Sequence, residues 1–357
     1  MDKPRTVTRI FFCLLLGLLS TFFAEVLSGS APDYLLTAFG YWGIFPLYCL
    51  HTLFLASIIM TRERSFSLRT LYLASLLFGM YEAYITKILW HPSWSPETFK
   101  IGELAVAETL LLVFYWHSLF SFLIPLFVGE NLLAGSNNLT LLLPEKWQTR
   151  VRNPRFILLF GGYSSILLAA AASSVEDALG LALLNSTAVS AAILLWRWLT
   201  RKKTYDFTEL LPSGKGIILV AVLLAFIYLN FGFNLSTDAL PEPIGHISVL
   251  LLYILFILLI RRSVRLDREQ RPVSDIAAPV GAERFSLKHW FLFCAAFILS
   301  AALLNLLPFA VRELLTGVVF ISGIIMGVLF FIRSIRALYR PDTPGPAHLI
   351  EPGENTL

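Results

Sequence analysis

Ionisable side chains inside long apolar segments are the part of this sequence that could do chemistry. A charged group within a bilayer costs free energy, so it usually marks a functional site or a pathway. Such residues concentrate before residue 128, and they are Glu25, His51, Glu82, Lys87, Glu108 and His117. The later apolar segments offer little beyond His246 and a few asparagines. We therefore expect function to reside in the first third of the chain.

Three of these residues fall at one depth. A helix rises about 1.5 Å per residue, so His51, Glu82 and His117 lie roughly 14, 18 and 15 Å from the predicted cytoplasmic ends of their helices. These depths place them near the centre of a bilayer. A carboxylate and two imidazoles at one level can bind a divalent metal such as zinc, or they can relay protons.

A second set of charged residues, Glu25, Lys87 and Glu108, falls nearer to the outer surface. Glu82 and Lys87 are five residues apart, and an ideal helix does not place such residues on one face. We therefore expect Lys87 to pair with Glu25 or Glu108 of another helix.

An intramembrane hydrolase is one function that these residues could serve. Glu82 would activate water and His117 would be the second catalytic residue. A divalent metal would be held by His51, His117 and His246, with an open position for water.

Two further functions remain open. In a proton-coupled transporter, Glu25, Glu82 and Glu108 would carry protons or cations, and Lys87 would be a charge switch. In a scaffold or accessory subunit, the polar groups would only hold helices together, as small and polar residues do in membranes.

The scaffold alternative assigns each central residue an ordinary structural partner. Glu82 would form an ion pair with a buried lysine or histidine, and His51 would bond to Tyr48 or to a backbone carbonyl in a neighbouring span. His117 would join helices together with nearby Ser121.

Composition identifies the elements that must position these residues. Of 357 residues, 57% are hydrophobic and 15% are charged, and the mean hydropathy is +0.72. A soluble domain has about 45–50% apolar and about 25% charged residues. This excess excludes a soluble enzyme, a disordered chain and a nucleic-acid-binding protein, and it makes the lipid bilayer the expected surroundings.

The apolar residues fall in runs of the roughly 20 residues that a spanning helix requires. We predict an all-α fold, a polytopic transmembrane helix bundle of about ten spans. The expected limits are 10–28, 35–60, 70–90, 102–127, 156–174, 178–199, 216–235, 244–260, 290–307 and 314–332.

The basic residues predict the orientation of this bundle. Cytoplasmic loops of membrane proteins carry an excess of lysine and arginine. With the N-terminus inside, 25 of the 28 basic residues fall in cytoplasmic segments. We therefore predict that both termini are cytoplasmic and that the net charge of +4 reflects topology.

The chain divides into a series of segments. Residues 1–127 form a four-span module with the polar cluster, 128–155 a cytoplasmic loop, and 156–340 a six-span hydrophobic module. The second module contains a basic loop at 261–288, and a proline-rich tail at 341–357 is expected to be disordered. We expect the first span to stay uncleaved, in a bacterial inner or archaeal plasma membrane.

Three stretches of the sequence resemble a family of uncharacterised polytopic membrane proteins of bacteria and archaea. They are EVLSGSAP at 25–32, LLFGMYEAYITK at 76–87 and WHSLFSFLIPLFVGE at 116–130. The resemblance implies a shared architecture and no known activity.

A fainter similarity connects the chain to CAAX-protease-like intramembrane metalloproteases. Those proteins carry E-E-x-x-x-R, then F-x-x-x-H, then H-x-x-x-N. Here Glu82 and Lys87 fit the first pattern with Ala83 as its second residue. His117 fits the second pattern, with Val113 in place of its phenylalanine. His246 fits the third pattern, with Leu250 in place of its asparagine. The similarity implies an intramembrane hydrolase.

Overall fold

The computed structural model describes residues 4–61, 65–92, 98–201, 203–234, 239–269 and 284–339. In chain order its helices are α1 (Thr6–Val26), α2 (Gly40–Ile59), α3 (Leu68–Gly79), α4 (Tyr81–Tyr84), α5 (Val106–Leu133), α6 (Asn138–Leu142), α7 (Glu145–Arg150), α8 (Pro154–Ala171), α9 (Val175–Thr200), α10 (Phe207–Leu210), α11 (Lys215–Asn234), α12 (Pro243–Arg268), α13 (Leu287–Asn305) and α14 (Phe309–Tyr339). Two short strands, β1 (Lys100–Ile101) and β2 (Leu104–Ala105), pair antiparallel before α5.

The predicted all-α polytopic bundle is confirmed. Within the described ranges, nine helices are long and apolar enough to cross a membrane, and they are α1, α2, α5, α8, α9, α11, α12, α13 and α14. The chain is therefore a membrane protein whose helices lie in a lipid bilayer.

The third predicted span, 70–90, differs from the prediction. Instead of one helix the chain forms α3 and the single turn α4, and it is non-helical from Ile85 to Pro92. Lys87 has a φ of 60°, which an α-helix does not contain. α3 also lies very close to α5, because a Cβ on Gly79 would stand 2.6 Å from the Cα of Val113. Unwound backbone at this depth is tolerated because protein surrounds it.

This short, broken segment still passes from one end of the bundle to the other. At its start, Arg69 pairs with Asp267, near the C-terminal end of α12. Beyond its end, Lys87 Nζ donates to the carbonyl of Gly232, near the C-terminal end of α11. Because α11 and α12 follow each other as long helices, their C-terminal ends lie at opposite ends of the bundle. Within the described residues, α3 and α4 together therefore extend between the two ends of the bundle, beside the nine helices that are long enough to cross a membrane.

Three stretches of the central helices are π-helical, with hydrogen bonds from residue i to i−5. They are Phe22–Val26 in α1, Gly40–Ile44 in α2 and Thr109–Leu123 in α5. The amide of Ile124, for example, donates to the carbonyl of Leu119. π-Helical turns occur frequently at functional sites.

The first helices form the centre of the bundle and several later ones its perimeter. In the most apolar 18 residues of each helix, 56% are buried in α1, 61% in α2 and 72% in α5. The corresponding values are 17% in α11, 22% in α12 and 17% in α14. Long exposed apolar faces are stable only in lipid, which explains why the hydropathy is highest where burial is lowest.

Polar contacts connect helix ends that the topology assigns to the same side. At the predicted cytoplasmic end, Arg9 bonds to the Leu211 carbonyl and, at 3.0 Å, to Ser213 Oγ. At the opposite end, Asn305 and Arg312 donate to the carbonyl of Ala169 at 2.8 and 3.0 Å. We call the end of the bundle that contains Arg9 and Ser213 the basic end, and the end that contains Asn305 and Arg312 the far end.

The predicted loops are shorter than expected where the structure describes them. α5 continues to Leu133, so the start of the loop predicted at 128–155 is helical, and α6 and α7 lie within it. α12 continues to Arg268 and takes up the start of the basic loop predicted at 261–288. Residues 270–283 and the tail predicted at 341–357 lie outside the described residues.

Candidate functional site

A buried carboxylate–imidazole pair is the centre of the candidate site. His117 Nε2 lies 2.6 Å from Glu82 Oε1, and the side chains of both residues are almost wholly buried. The other Glu82 oxygen accepts a hydrogen bond from the hydroxyl of Thr86, and His117 Nδ1 lies 2.9 Å from Ser121 Oγ. Two of the residues expected in a central layer are therefore in direct contact.

Each partner is presented by an unusual piece of backbone. Glu82 lies in α4, the single turn that follows the break at Met80. His117 lies in the π-helical part of α5, where Ser118 Oγ donates to the carbonyl of Val113, five residues earlier. The pair thus bridges the two helices at the point where neither is a regular α-helix.

Two tyrosines connect this pair to a second carboxylate. The hydroxyl of Tyr48 donates to Glu25 Oε1. Tyr48 has one hydroxyl hydrogen and gives it to Glu25, so the Tyr81 hydroxyl, 2.5 Å away, donates to Tyr48. The oxygen of Tyr81 in turn faces His117 Nε2 at 3.5 Å.

The result is a chain of polar groups that runs through four helices. It passes from Glu25 in α1 through Tyr48 in α2 and Tyr81 in α4 to His117 in α5, and from there to Glu82. We call these five residues the relay chain. The sequence analysis assigned Glu25 to an outer layer with Lys87, whereas the structure joins it to the central pair.

Glu25 is the end of the relay chain nearest to the segment between α1 and α2. It is half-buried, whereas Glu82 is 4% exposed. Tyr34 of that segment is buried, and its hydroxyl bonds to none of the residues that the structure describes. Burial, with further contributions from Tyr41 and Glu25, raises the pKa of Tyr34 above its usual value. Because α1 begins at the basic end, near Arg9, and Glu25 lies one residue before its last residue, Glu25 is the carboxylate closer to the far end.

His51 lies beside the relay chain and has its own partners. Its Nδ1 is 2.8 Å from the carbonyl of Leu47, so this nitrogen carries the proton and Nε2 accepts from the Tyr228 hydroxyl at 3.0 Å. The ring stacks on Phe78 at 4.9 Å and lies 5.6 Å from the ring of Tyr81. The scaffold alternative expected a bond to Tyr48 or to a carbonyl of a neighbouring helix, whereas Leu47 lies four residues earlier in α2 itself, and the partner on another helix is Tyr228.

His246 lies in a separate aromatic cluster. Its ring stacks on Tyr84 at 6.0 Å and meets Trp90 edge-on at 5.6 Å, and Nδ1 is 3.5 Å from the Tyr84 hydroxyl. The structure therefore does not bring the three predicted metal-ligating histidines together. Within the described ranges, no group of three or more His, Cys, Asp or Glu side chains is arranged to hold a metal ion. These residues do not fit the divalent metal that a hydrolase would require.

Lys87 and Glu108 lie toward the far end and are both buried. Lys87 Nζ donates to the carbonyls of Ile85 and Gly232 at 3.3 and 3.1 Å. A cation close to the C-terminal end of α11 is favoured by the helix dipole. Glu108 accepts from Thr98 Oγ1 at 3.1 Å. That Lys87 pairs with Glu25 or Glu108 stays a prediction.

Sequence reasoning missed the two tyrosines and two buried carboxylates. Tyr48 was considered only as a partner of His51, and Tyr81 was not considered, because only residues that carry charge were taken as candidate site residues. The position of Tyr81 directly before Glu82 could have identified it. Asp267 lies in the predicted loop 261–288, yet it is 0% exposed and bonds to Arg69 at 2.8 Å. Glu130 is also 0% exposed and accepts from backbone amides of α6.

Comparison with known proteins finds similarity along nearly the whole chain. The model of a family described as an uncharacterized membrane protein family matches residues 14–341. A protein of Archaeoglobus fulgidus, described as an uncharacterized protein, is 30% identical over 321 residues, which covers 90% of this chain and 98% of the relative. No solved structure matches the chain significantly. The matched region includes every residue of the relay chain.

Proposed function

This chain belongs to an uncharacterized membrane protein family, and we propose that it is a proton-coupled permease of a prokaryotic cell membrane. The relay chain is the observation that carries the proposal. Carboxylates of two different helices are joined by three groups, each of which can give and take a proton. Chains of Asp, Glu and His side chains of this kind serve as proton relays in pumps and transporters.

The direction of the hydrogen bonds defines a proton path. When a doubly protonated His117 gives its Nε2 proton to Tyr81 and keeps the Nδ1 proton, Tyr81 passes its own proton to Tyr48, and Tyr48 passes its proton to Glu25. Both tyrosines regain a hydrogen, His117 has lost one and Glu25 has gained one. A proton on Glu82 then restores His117 across the 2.6 Å contact. The net result is the movement of one proton from Glu82 to Glu25.

The surrounding backbone also supports transport. Transporters commonly form their sites at discontinuous helices near the middle of the membrane. Here α3 breaks at Met80, two residues before Glu82, and α5 is π-helical around His117. Irregular helical segments of this kind occur frequently at functional sites.

Localisation in a prokaryotic cell membrane is supported by the archaeal source of the relative. The apolar surface of α11, α12 and α14 is consistent with a bilayer as the immediate surroundings. Both termini are proposed to be cytoplasmic, with the basic end inside.

The relay can be tested in proteoliposomes that contain a pH-sensitive dye. An inside-negative potassium diffusion potential would drive protons inward in the presence of a panel of solutes. We expect solute-dependent acidification with wild type. Tyr81→Phe removes the central hydroxyl and should slow acidification by about tenfold or more, since a barrier increase of about 1.4 kcal/mol has that effect. Glu82→Gln should abolish it.

Tyr84→Phe is the matched control. Tyr84 lies in the same helical turn as Tyr81, α4, but its hydroxyl faces His246 instead of the relay chain. We expect wild-type acidification from this variant. If Tyr81→Phe and Glu82→Gln acidify like wild type and differ only in folded yield, the side chains hold helices together, and the scaffold alternative replaces the permease.

A further inference from the structure

A cleft at the basic end forms a cationic site that the proposed transport path does not use. Its volume is about 190 Å³, and it lies between the C-terminal ends of α5 and α9 and the segment that follows α9. The polar residues that line it are Arg197, Thr200, Arg201, Lys203 and Thr204. Leu132 and Leu133 of α5 form the apolar part of the wall.

The floor of this cleft is rigid. Trp196 is 1% exposed, and its Nε1 donates to the carbonyl of Leu133 at 2.7 Å, which ties α9 to α5. The indole ring also contacts the rings of Phe11 and Phe12 of α1 at 5.9 Å. The amide of Gly135 donates to the carbonyl of Tyr205 at 2.8 Å and holds the segment after α9 against the end of α5. The cleft is therefore held open by contacts that do not involve its charged side chains.

The charged residues of the cleft lie at the C-terminal end of α9, beside exposed apolar side chains. Arg197 and Arg201 are exposed and four residues apart, so they project from one face of α9. Leu194 and Trp198 each precede one of these arginines by three residues, so they lie on the same side of the helix, at 46% and 61% exposure. A cationic cleft therefore adjoins an apolar surface that faces the bilayer.

We infer that this cleft binds the phosphate-bearing headgroup of an anionic membrane lipid. The guanidinium groups of Arg197 and Arg201 would each offer paired donors to phosphate oxygens, which is the geometry that arginine provides. The acyl chains would lie along the exposed side chains of Leu194 and Trp198 on α9. Basic pockets between membrane helices at the cytoplasmic side bind anionic headgroups in this manner. A free phosphate ion would gain the charge contacts but not the apolar ones.

Native mass spectrometry of the full-length protein released from nanodiscs can test this inference. Nanodiscs would contain phosphatidylglycerol and phosphatidylcholine in equal amounts, and we expect retention of phosphatidylglycerol. The double variant Arg197→Gln, Arg201→Gln should retain at least about tenfold less, since loss of two charge-assisted contacts exceeds the 1.4 kcal/mol that corresponds to tenfold. Thr200→Leu keeps every charge and fills the cleft, so it should also lower retention.

The matched control is the double variant Arg261→Gln, Arg265→Gln. These two arginines are also exposed, four residues apart and at the basic end, but they lie on α12 and do not line the cleft. We expect wild-type retention. Equal loss of lipid in the two double variants would overturn the inference, because general surface charge would then suffice. Displacement of phosphatidylglycerol by millimolar inorganic phosphate would overturn the assignment to a lipid. Wild-type retention by Thr200→Leu would also contradict it.

Discussion

Glu82 of α4 and Glu130 of α5 show that buried glutamates can have different roles. Glu82 faces a titratable partner, His117, across 2.6 Å. Glu130 instead accepts two backbone amides of the α6 region, at 2.8 Å each, and the Ser136 hydroxyl at 3.1 Å. The first arrangement can exchange a proton, whereas the second fixes a turn by satisfying amides at a helix start.

Replacement of Glu130 by glutamine should therefore lower stability without affecting proton movement. An amide directs N–H donors toward other N–H groups, and an unsatisfied buried donor costs about 1–3 kcal/mol. We expect Glu130→Gln to unfold at a lower temperature while its acidification rate per folded molecule equals that of wild type. Glu82→Gln should instead lose acidification while its unfolding temperature stays close to that of wild type. A transport defect in Glu130→Gln at full folding would contradict this division of roles.

At the level of elements, the relay chain depends on how closely α3 approaches α5. α3 carries no side chain at Gly79, where the backbone of Val113 fills the space. At the basic end the same helix is held by Arg69, which bonds to Asp267, to Ser263 and to the carbonyl of Ala337. α3 is therefore fixed at both ends, and α4 continues directly from its close-packed end.

Gly79→Ala should separate α3 from α5 and disturb the Glu82–His117 contact. The added Cβ would stand 2.6 Å from a backbone atom that cannot move aside, and such overpacking costs about 1–3 kcal/mol. We expect a lower unfolding temperature and slower acidification.

Gly180→Ala is the control for this substitution. Gly180 lies in α9 with no atom within 4 Å of an added Cβ. Alanine is favoured over glycine inside a helix by about 1 kcal/mol, so this variant should be as stable as wild type or more stable. Equal destabilisation by both substitutions would contradict the close-packing argument.

At the scale of the whole molecule, central helices that carry ionisable groups are surrounded by helices that face lipid. Contacts among helix ends place Arg9, Arg69 and Asp267 at the basic end and Asn305 and Arg312 at the far end. This arrangement agrees with the alternation that ten crossings require. Labelling of one loop is therefore enough to determine on which side of the membrane every other loop lies.

Cysteine labelling in intact cells should show the far end outside and the basic end inside. Ser173, between α8 and α9, and Ser213, before α11, are both exposed. We expect Ser173→Cys to react with a membrane-impermeant maleimide in intact cells, and Ser213→Cys to react only after permeabilisation. The wild-type protein, in which Cys49 and Cys294 are buried and Cys13 partly so, gives the background. The reverse pattern would invert the proposed topology.

The sequence by itself determined the fold class and the approximate positions of nine of the ten predicted spans, although α12 and α14 continue to Arg268 and Tyr339, eight and seven residues beyond the predicted limits. These properties follow from hydropathy and from the distribution of basic residues, which are local features that a bilayer constrains strongly. The prediction of one continuous helix over 70–90 was wrong, because the composition is that of a span but the backbone unwinds after α4. The close contact of Gly79 with α5 and the positive φ of Lys87 are outcomes of packing.

Only the tertiary structure decided which polar residues meet. Depth along a helix can be counted from the sequence, and it correctly placed Glu82 beside His117. The rotation of each helix about its axis cannot be counted in this way, and it directs Glu25 toward Tyr48, His51 toward Tyr228 and His246 toward Tyr84. Because a hydrogen bond requires both depth and direction, the sequence indicated the level of the site, and the packing of the helices selected its members.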